Sequence, residues 1–309
     1  MGTGGAILRL AGRPLQAMRP QPLGTSRVTR TPYLLVAPLT VVLIVFFGIP
    51  LVLVVVVSFF DLDKFDIIPT FVLTNYAEVF GSSLTYALYA KTITYALIVW
   101  AITLVIGFTV SYFLVFHVRS VLVQMALFLL CTVPFWTSNV IRMISWIPFL
   151  GRHGLFNQSL IAVGITDHPL EFLLFSNFSV VIAYVHLFSL FMIVPIFNSM
   201  ARIDRAVIEA AVDGGASRAR VITEIVIPLS KTGIALGSIF VIALVMGDFF
   251  VVKIMSGGQS SSVVAAMSNE IAILQYPPAA ANAVCLLIIV MLMVAAIMRL
   301  VDVRRELSG

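Results

Sequence analysis

Six apolar runs decide what this chain can fold into. Leu34–Phe60, Phe178–Met200 and Ala279–Met298 hold no charged residue. Leu88–Phe116 is interrupted only by Lys91, Val121–Phe149 only by Arg142, and Gly233–Val252 only by Asp248. About 20 mostly apolar residues suffice to cross a bilayer as a helix. In hydrocarbon a segment must satisfy its own backbone hydrogen bonds, which makes each run helical. The chain is 61% hydrophobic and 11% charged, against roughly 25% charged in soluble domains. A single soluble core is excluded, and the expected class is an all-α membrane protein with six transmembrane helices.

Orientation follows from lysine and arginine in the flanking segments. The N-terminal segment holds Arg9, Arg13, Arg19, Arg27 and Arg30 and no acid. The segment after span 1 is acidic, with Asp61, Asp63, Asp66 and Glu78 against Lys64. Arg119 follows span 2, and the loop after span 3 sets Arg152 against Asp167 and Glu171. Arg202, Arg205, Arg218, Arg220 and Lys231 follow span 4, and Arg299, Arg304 and Arg305 close the chain. Basic residues gather on alternate sides, which places both termini and the loop after span 4 in the cytoplasm. The expected organisation is a disordered tail at 1–32, a first transmembrane helix at 33–60 and an external loop at 61–86. A five-helix core at 87–302 and a cytoplasmic C-terminus at 303–309 complete it. Span 1 is too long for a signal-peptide core and reads as an uncleaved anchor. Cys131 and Cys285 lie in apolar runs and form no metal or disulfide pattern.

Residues 201–232, ARIDRAVIEAAVDGGASRARVITEIVIPLSKT, carry nine charges between two apolar runs. Asp204 is placed to cap a helix running to Asp213, where Ala206, Ala210 and Ala211 favour helix and keep the surface small. Gly214-Gly215 breaks it, since glycine takes left-handed dihedrals freely. Ser217 caps an expected second short helix from Arg218 to Ile225, and Pro228 opens span 5. Two short helices joined by a tight turn suit a docking knob for a soluble partner. The plainer alternative is a solvated connection between spans 4 and 5.

The spacing Glu209-Ala210-Ala211, three residues, Gly215, nine residues, Ile225, one residue, Ile227-Pro228 resembles the signature loop of ABC importer permeases, with Ile227 where those carry leucine. A narrower likeness covers Pro134-Phe135-Trp136-Thr137-Ser138, Arg142, Trp146, Gly151–Asn157, Gly247-Asp248-Phe249 and Gly257-Gly258. These resemble the first permease subunit of spermidine/putrescine-type importers. The resemblance implies a type I ABC importer permease-like fold with a cytoplasmic coupling helix between spans 4 and 5. It implies that Glu209, Ala210, Ala211, Asp213, Gly215, Ile225 and Pro228 form the coupling element for an ATPase. The implied partners are a cytoplasmic ABC ATPase dimer holding ATP and Mg, a second homologous permease subunit, an external solute-binding protein and membrane lipid. The implied location is a bacterial inner membrane, crossed several times. The implied cargo is a polyamine such as spermidine or putrescine. The same architecture also serves iron(III), phosphonate, opine and other organic ions.

Charges inside a bilayer cost about 2.5–3.5 kcal/mol on insertion scales, so they face a water-filled path or a partner. Asp248 with Phe249 and Phe250 suits a passage for a cationic solute, the acid attracting and the rings offering cation–π contact. Alternatively, Asp248 pairs with Arg142 or caps a broken helix. Lys253, Arg142 and Trp136 complete the candidates for the translocation path. Lys253 also suits snorkelling at a span end, and Arg142 suits a structural hold between helices. Trp136, Trp146 and Tyr184 offer stacking surfaces or interface anchors. No phosphate-binding loop, Gly-x-Ser-x-Gly elbow, catalytic residue or metal-ligand spacing is present in the sequence. No cofactor is expected in this chain, ATP hydrolysis is assigned to a partner, and no nucleic acid is expected. A secondary transporter driven by an ion gradient and an intramembrane enzyme or scaffold are the readings from other classes.

Overall fold

A computed structural model describes residues 31–63, 66–258 and 260–301. The tail expected at 1–32 and the C-terminus at 303–309 lie outside the described residues, except Thr31 and Pro32, which open the first helix. The chain divides into two compact units at Leu51 and Val52. In the first, α1 (Thr31–Leu43) runs through a π turn at Ile44–Gly48 into the start of α2 (Ile49–Val57), whose residues from Val52 on belong to the second. Val36–Val57 is a 22-residue apolar helix, long enough to span a bilayer. Its residues Phe46 and Phe47 are 69% exposed, as suits a surface in contact with lipid.

After α2 the second unit carries structure that the apolar pattern does not show. A hairpin pairs β1 (Asp61–Asp63) with β2 (Asp66–Ile68), and α3 (Thr74–Gly81) follows. Asn75 ties this segment to the end of α2, donating through Nδ2 to the carbonyls of Ser58 at 3.1 Å and Phe60 at 2.8 Å. Phe59 stacks on Phe71 at 4.6 Å.

Three helices form the core: α4 (Ser83–Tyr112), α8 (Asn177–Met200) and α11 (Ile227–Gly247). Their contact is a knob between two notches. Met192 of α8 is fully buried, and a Cβ added at Gly107 of α4 would stand 2.6 Å from its Cγ. A Cβ added at Gly237 of α11 would stand 2.7 Å from its Sδ. Glycine at both positions lets the helices close on one methionine. Polar side chains lock the same faces together. Trp100 Nε1 donates to Ser238 Oγ at 2.8 Å, and Ser111 Oγ donates to the Ile193 carbonyl at 3.1 Å. Such pairs matter where no water competes for them.

Among the described residues, five helices are long and apolar enough to cross a membrane, and the count reaches six if the bent pair Val121–Trp136 and Asn139–Ala162 is taken as one span. The bend corrects the expected straight span at 121–149. Between α5 (Val121–Thr132) and α6 (Asn139–Leu150) lies a 3-10 turn at Val133–Trp136, and the pair bends by 90°. Pro134 removes a helical donor at this turn, and Thr137 and Ser138 leave the helical region. The helix expected at 218–225 is not separate either. α10 (Arg218–Val221) passes through a π turn at Ile222–Val226 straight into α11, giving one helix from Arg218 to Gly247. That helix ends five residues before the expected boundary at Val252, and α12 (Phe250–Met255) resumes beyond a break. α7 (Leu155–Ala162), α13 (Val263–Ala272) and α14 (Tyr276–Val301) complete the described helices.

Candidate functional site

The charged loop folds into α9 (Arg205–Asp213) and a closed turn. The Asp204 carboxylate accepts from Ala206 N at 3.0 Å, which caps α9. At the other end Gly215 takes φ +84°, Gly215 N donates to Val212 O at 2.9 Å, and Ala216 N donates to Ala211 O at 2.9 Å. This is a Schellman turn, which satisfies carbonyls that the helix end leaves free and needs a left-handed residue at Gly215. Ile208, Ala211 and Ala216 pack against the core. The opposite face presents Glu209, Ala210 and Asp213 with the exposed Val207 and Val212. Arg205 donates to the Val115 carbonyl at 3.0 Å and so fastens the knob to the segment that follows α4. Ile225 is half-buried and Pro228 exposed, both on the continuous helix that follows the turn. Arg220 pairs with Glu224 at 3.0 Å on the same helix. This exposed i,i+4 pair contributes about 0.3–0.5 kcal/mol.

A second candidate lies where α11 breaks. Gly247 ends α11, Asp248 is extended, and the Asp248 Oδ1 accepts from Val251 N at 2.9 Å. The carboxylate therefore caps the resumed helix. Tyr184, 1% exposed, donates its hydroxyl toward Asp248 Oδ1 at 3.2 Å. Phe249 is 37% exposed, Phe250 is half-buried, and Lys253 is exposed one turn further on. Tyr184 belongs to the core and stacks on Phe188 at 5.7 Å, so its ring is neither an interface anchor nor an open stacking surface. A related hydrogen-bonded group, Tyr95 with Asn177 at 2.7 Å and Ser260 at 2.6 Å, had no signal in the sequence, since its members lie far apart in the chain.

Arg142 does not pair with Asp248. Its Nη2 donates to Asn139, and its Cζ stands 4.9 Å from the centre of the Phe135 ring. Arg142 is 6% exposed, and its Nε and Nη1 are buried without an acceptor. Ion pairs join Arg152 to Glu171 and Arg220 to Glu224. Trp146 donates to His186 Nδ1 at 3.1 Å, and Trp136 is 77% exposed at the 3-10 turn. The structure thus gathers Asp248, Phe249, Phe250 and Lys253 at one break. It leaves Arg142 and Trp136 on the α5–α6 bend and the coupling residues on the α9 knob.

Known proteins match this arrangement. The spermidine/putrescine transport system permease protein PotB of Salmonella typhimurium is 32% identical over 219 residues, covering 71% of this chain and 75% of that protein. PotB of Haemophilus influenzae is 31% identical over 235 residues, covering 75% and 80%. The inner membrane ABC transporter permease protein YdcU of Escherichia coli is 26% identical over 230 residues, covering 71% and 72%. Among solved structures, a chain of a bacterial ABC transporter involved in the import of the acidic polysaccharide alginate superposes with TM-score 0.68 at 15% identity, covering 88% of this chain and 95% of that chain. That likeness supports the fold alone. The profile of the binding-protein-dependent transport system inner membrane components covers residues 118–306, which include the knob and the break. By that match and by its relatives, this chain belongs to the family of binding-protein-dependent transport system inner membrane components.

Proposed function

We propose that this chain is the membrane-spanning permease subunit of an ATP-driven importer of polyamines. The observation that carries the coupling role is the Schellman-closed knob. Its exposed face sets Glu209, Ala210 and Asp213 beside small residues, and its turn leads directly into the helix Arg218–Gly247. At 1.5 Å per residue that helix is about 45 Å long. It is a stiff lever between the knob and the break at Asp248. A partner that displaces α9 displaces the root of this lever, and Arg205 carries the same push to the end of α4.

The partner is a cytoplasmic ABC ATPase dimer that holds ATP and Mg, since the sequence carries no phosphate-binding loop. A second, related permease subunit closes the other wall of the path, and an external solute-binding protein delivers cargo. The alternating basic flanks support both termini and the knob on the cytoplasmic side of a bacterial inner membrane. The names of the PotB relatives support the polyamine cargo, and so does Asp248, a half-buried carboxylate beside Phe249 and Phe250. Other small organic ions remain the competing cargo.

Reconstitution tests the reading. The chain purified with its partners should bring down a Walker-type ATPase and drive ATP-dependent uptake of labelled spermidine with the cognate binding protein. Uptake that follows an imposed ion gradient and ignores ATP would establish a secondary transporter instead.

A further inference from the structure

Beside the break lies a cavity of about 680 Å³ that the transport reading does not use. Leu53 and Val57 of α2, Met267 and Ile271 of α13, and Ala280 of α14 line it, and Phe249 closes one side. Its walls are almost wholly apolar, with Ser268 and Tyr276 the polar side chains among them and no carboxylate, so a polyamine finds no charged partner there. The small alanines keep the α14 wall low, and an apolar space of this size at the surface of a soluble protein would mark a binding site. In a chain that crosses a bilayer, the surrounding species of matching chemistry is a lipid tail.

A second observation bears on the headgroup. Lys253 N donates to the Phe249 carbonyl at 2.9 Å, so the two residues stand one helical turn apart on the same side of α12. Lys253 is exposed and takes part in neither the Arg152–Glu171 nor the Arg220–Glu224 pair. A cation one helical turn from a residue that lines an apolar groove matches a phosphate beside an acyl chain.

We propose that this groove holds an acyl chain of an anionic phospholipid, with Lys253 on its phosphate. The tail buttresses the Phe249 ring and so supports the helix break from the lipid side. The proposal rests on the membrane placement of the family and not on the cargo.

The test uses the whole transporter, purified in detergent and reconstituted in nanodiscs with equal parts phosphatidylglycerol and phosphatidylethanolamine. Native mass spectrometry reads the retained lipids. The wild type should keep phosphatidylglycerol in preference to phosphatidylethanolamine. Lys253→Gln, an exposed change that leaves the fold alone, should cut that preference about five-fold, as one basic residue at a lipid surface implies. Ala280→Phe should lower retention of both lipids, and Ala280→Met repeats the test with less bulk. Unchanged preference in Lys253→Gln, or retention no higher than for bulk lipid, would overturn the proposal. So would disulfide cross-linking of Ala280→Cys to the second membrane subunit, which would show a protein helix in the groove.

Discussion

Gly215 separates two ways in which the knob could depend on glycine. Its φ of +84° lies in the left-handed region, while a Cβ placed there would meet nothing within 4 Å. Within this chain, then, any substitution is opposed by backbone strain and not by crowding. Left-handed geometry costs about 1–2 kcal/mol for an ordinary L residue, which corresponds to about a 5–30-fold loss in the population of the closed turn. Asparagine tolerates this region better, and a β-branched residue worst. Uptake and ATP hydrolysis, measured together in proteoliposomes, should therefore decline in the order Asn, Ala, Val at Gly215, with uptake falling further than hydrolysis. If Gly215→Asn is as damaging as Gly215→Val while the subunit still assembles in normal amounts, turn strain is the wrong reason. The open space around Gly215 would then have to be filled by the partner, with direct contact the determinant.

Asp248→Asn keeps an equally good cap for Val251 N but removes the charge, so uptake of labelled spermidine should fall while expression and melting temperature hold. Unchanged uptake across substrate concentrations would remove Asp248 from the path. Gly237→Val should destabilise the subunit by about 1–3 kcal/mol through overpacking against Met192, read as lower yield and an earlier thermal transition. Recovery of full stability in Gly237→Val with Met192→Ala would contradict the backbone contact, since the added Cβ also lies 3.2 Å from Met192 Cα. Burial pushes the Glu270 carboxyl above the usual range, against the opposing hydrogen bond from Asn282. The folded subunit therefore holds that proton more tightly than the unfolded chain, and the cost of ionised Glu270 is present at high pH and fades as pH falls through the folded value. Glu270→Gln should raise the melting temperature at about pH 8 and lose that advantage toward about pH 5; an equal shift at both would refute the assignment.

The spans, the knob and Gly215 were legible because each rests on local pattern: long apolar runs, a capping acid, a glycine after a helix. The α5–α6 bend was less so, because Pro134 sits in an apolar run whose composition is the same bent or straight. The continuity of α10 with α11 was hidden for the opposite reason. Pro228 reads as a helix start, and the π turn before it accommodates the ring without ending the helix. Asp248 stands out in the sequence as the one charge in an apolar run, but its partner could not be read. Tyr184 is 64 residues away in the chain, and only packing brings its hydroxyl to the carboxylate. Arg142 and Asp248 have opposite charge, yet the fold places one against Asn139 and Phe135 and the other at a helix start. Coulomb complementarity in a sequence does not specify geometry.

Met192 sits in Gly107 and Gly237 like a detent pin in two sockets. Sliding α4 or α11 along α8 by even one residue would drive a Cα–Cβ unit of a neighbouring residue into that methionine, whereas a small tilt about it leaves both sockets engaged. The three helices are thus free to pivot but not to shear. Under the proposed coupling, motion delivered at the knob would turn them as one block, and the compliance needed for a path to open would come from the places where helices are already interrupted, at Pro134 and at Asp248.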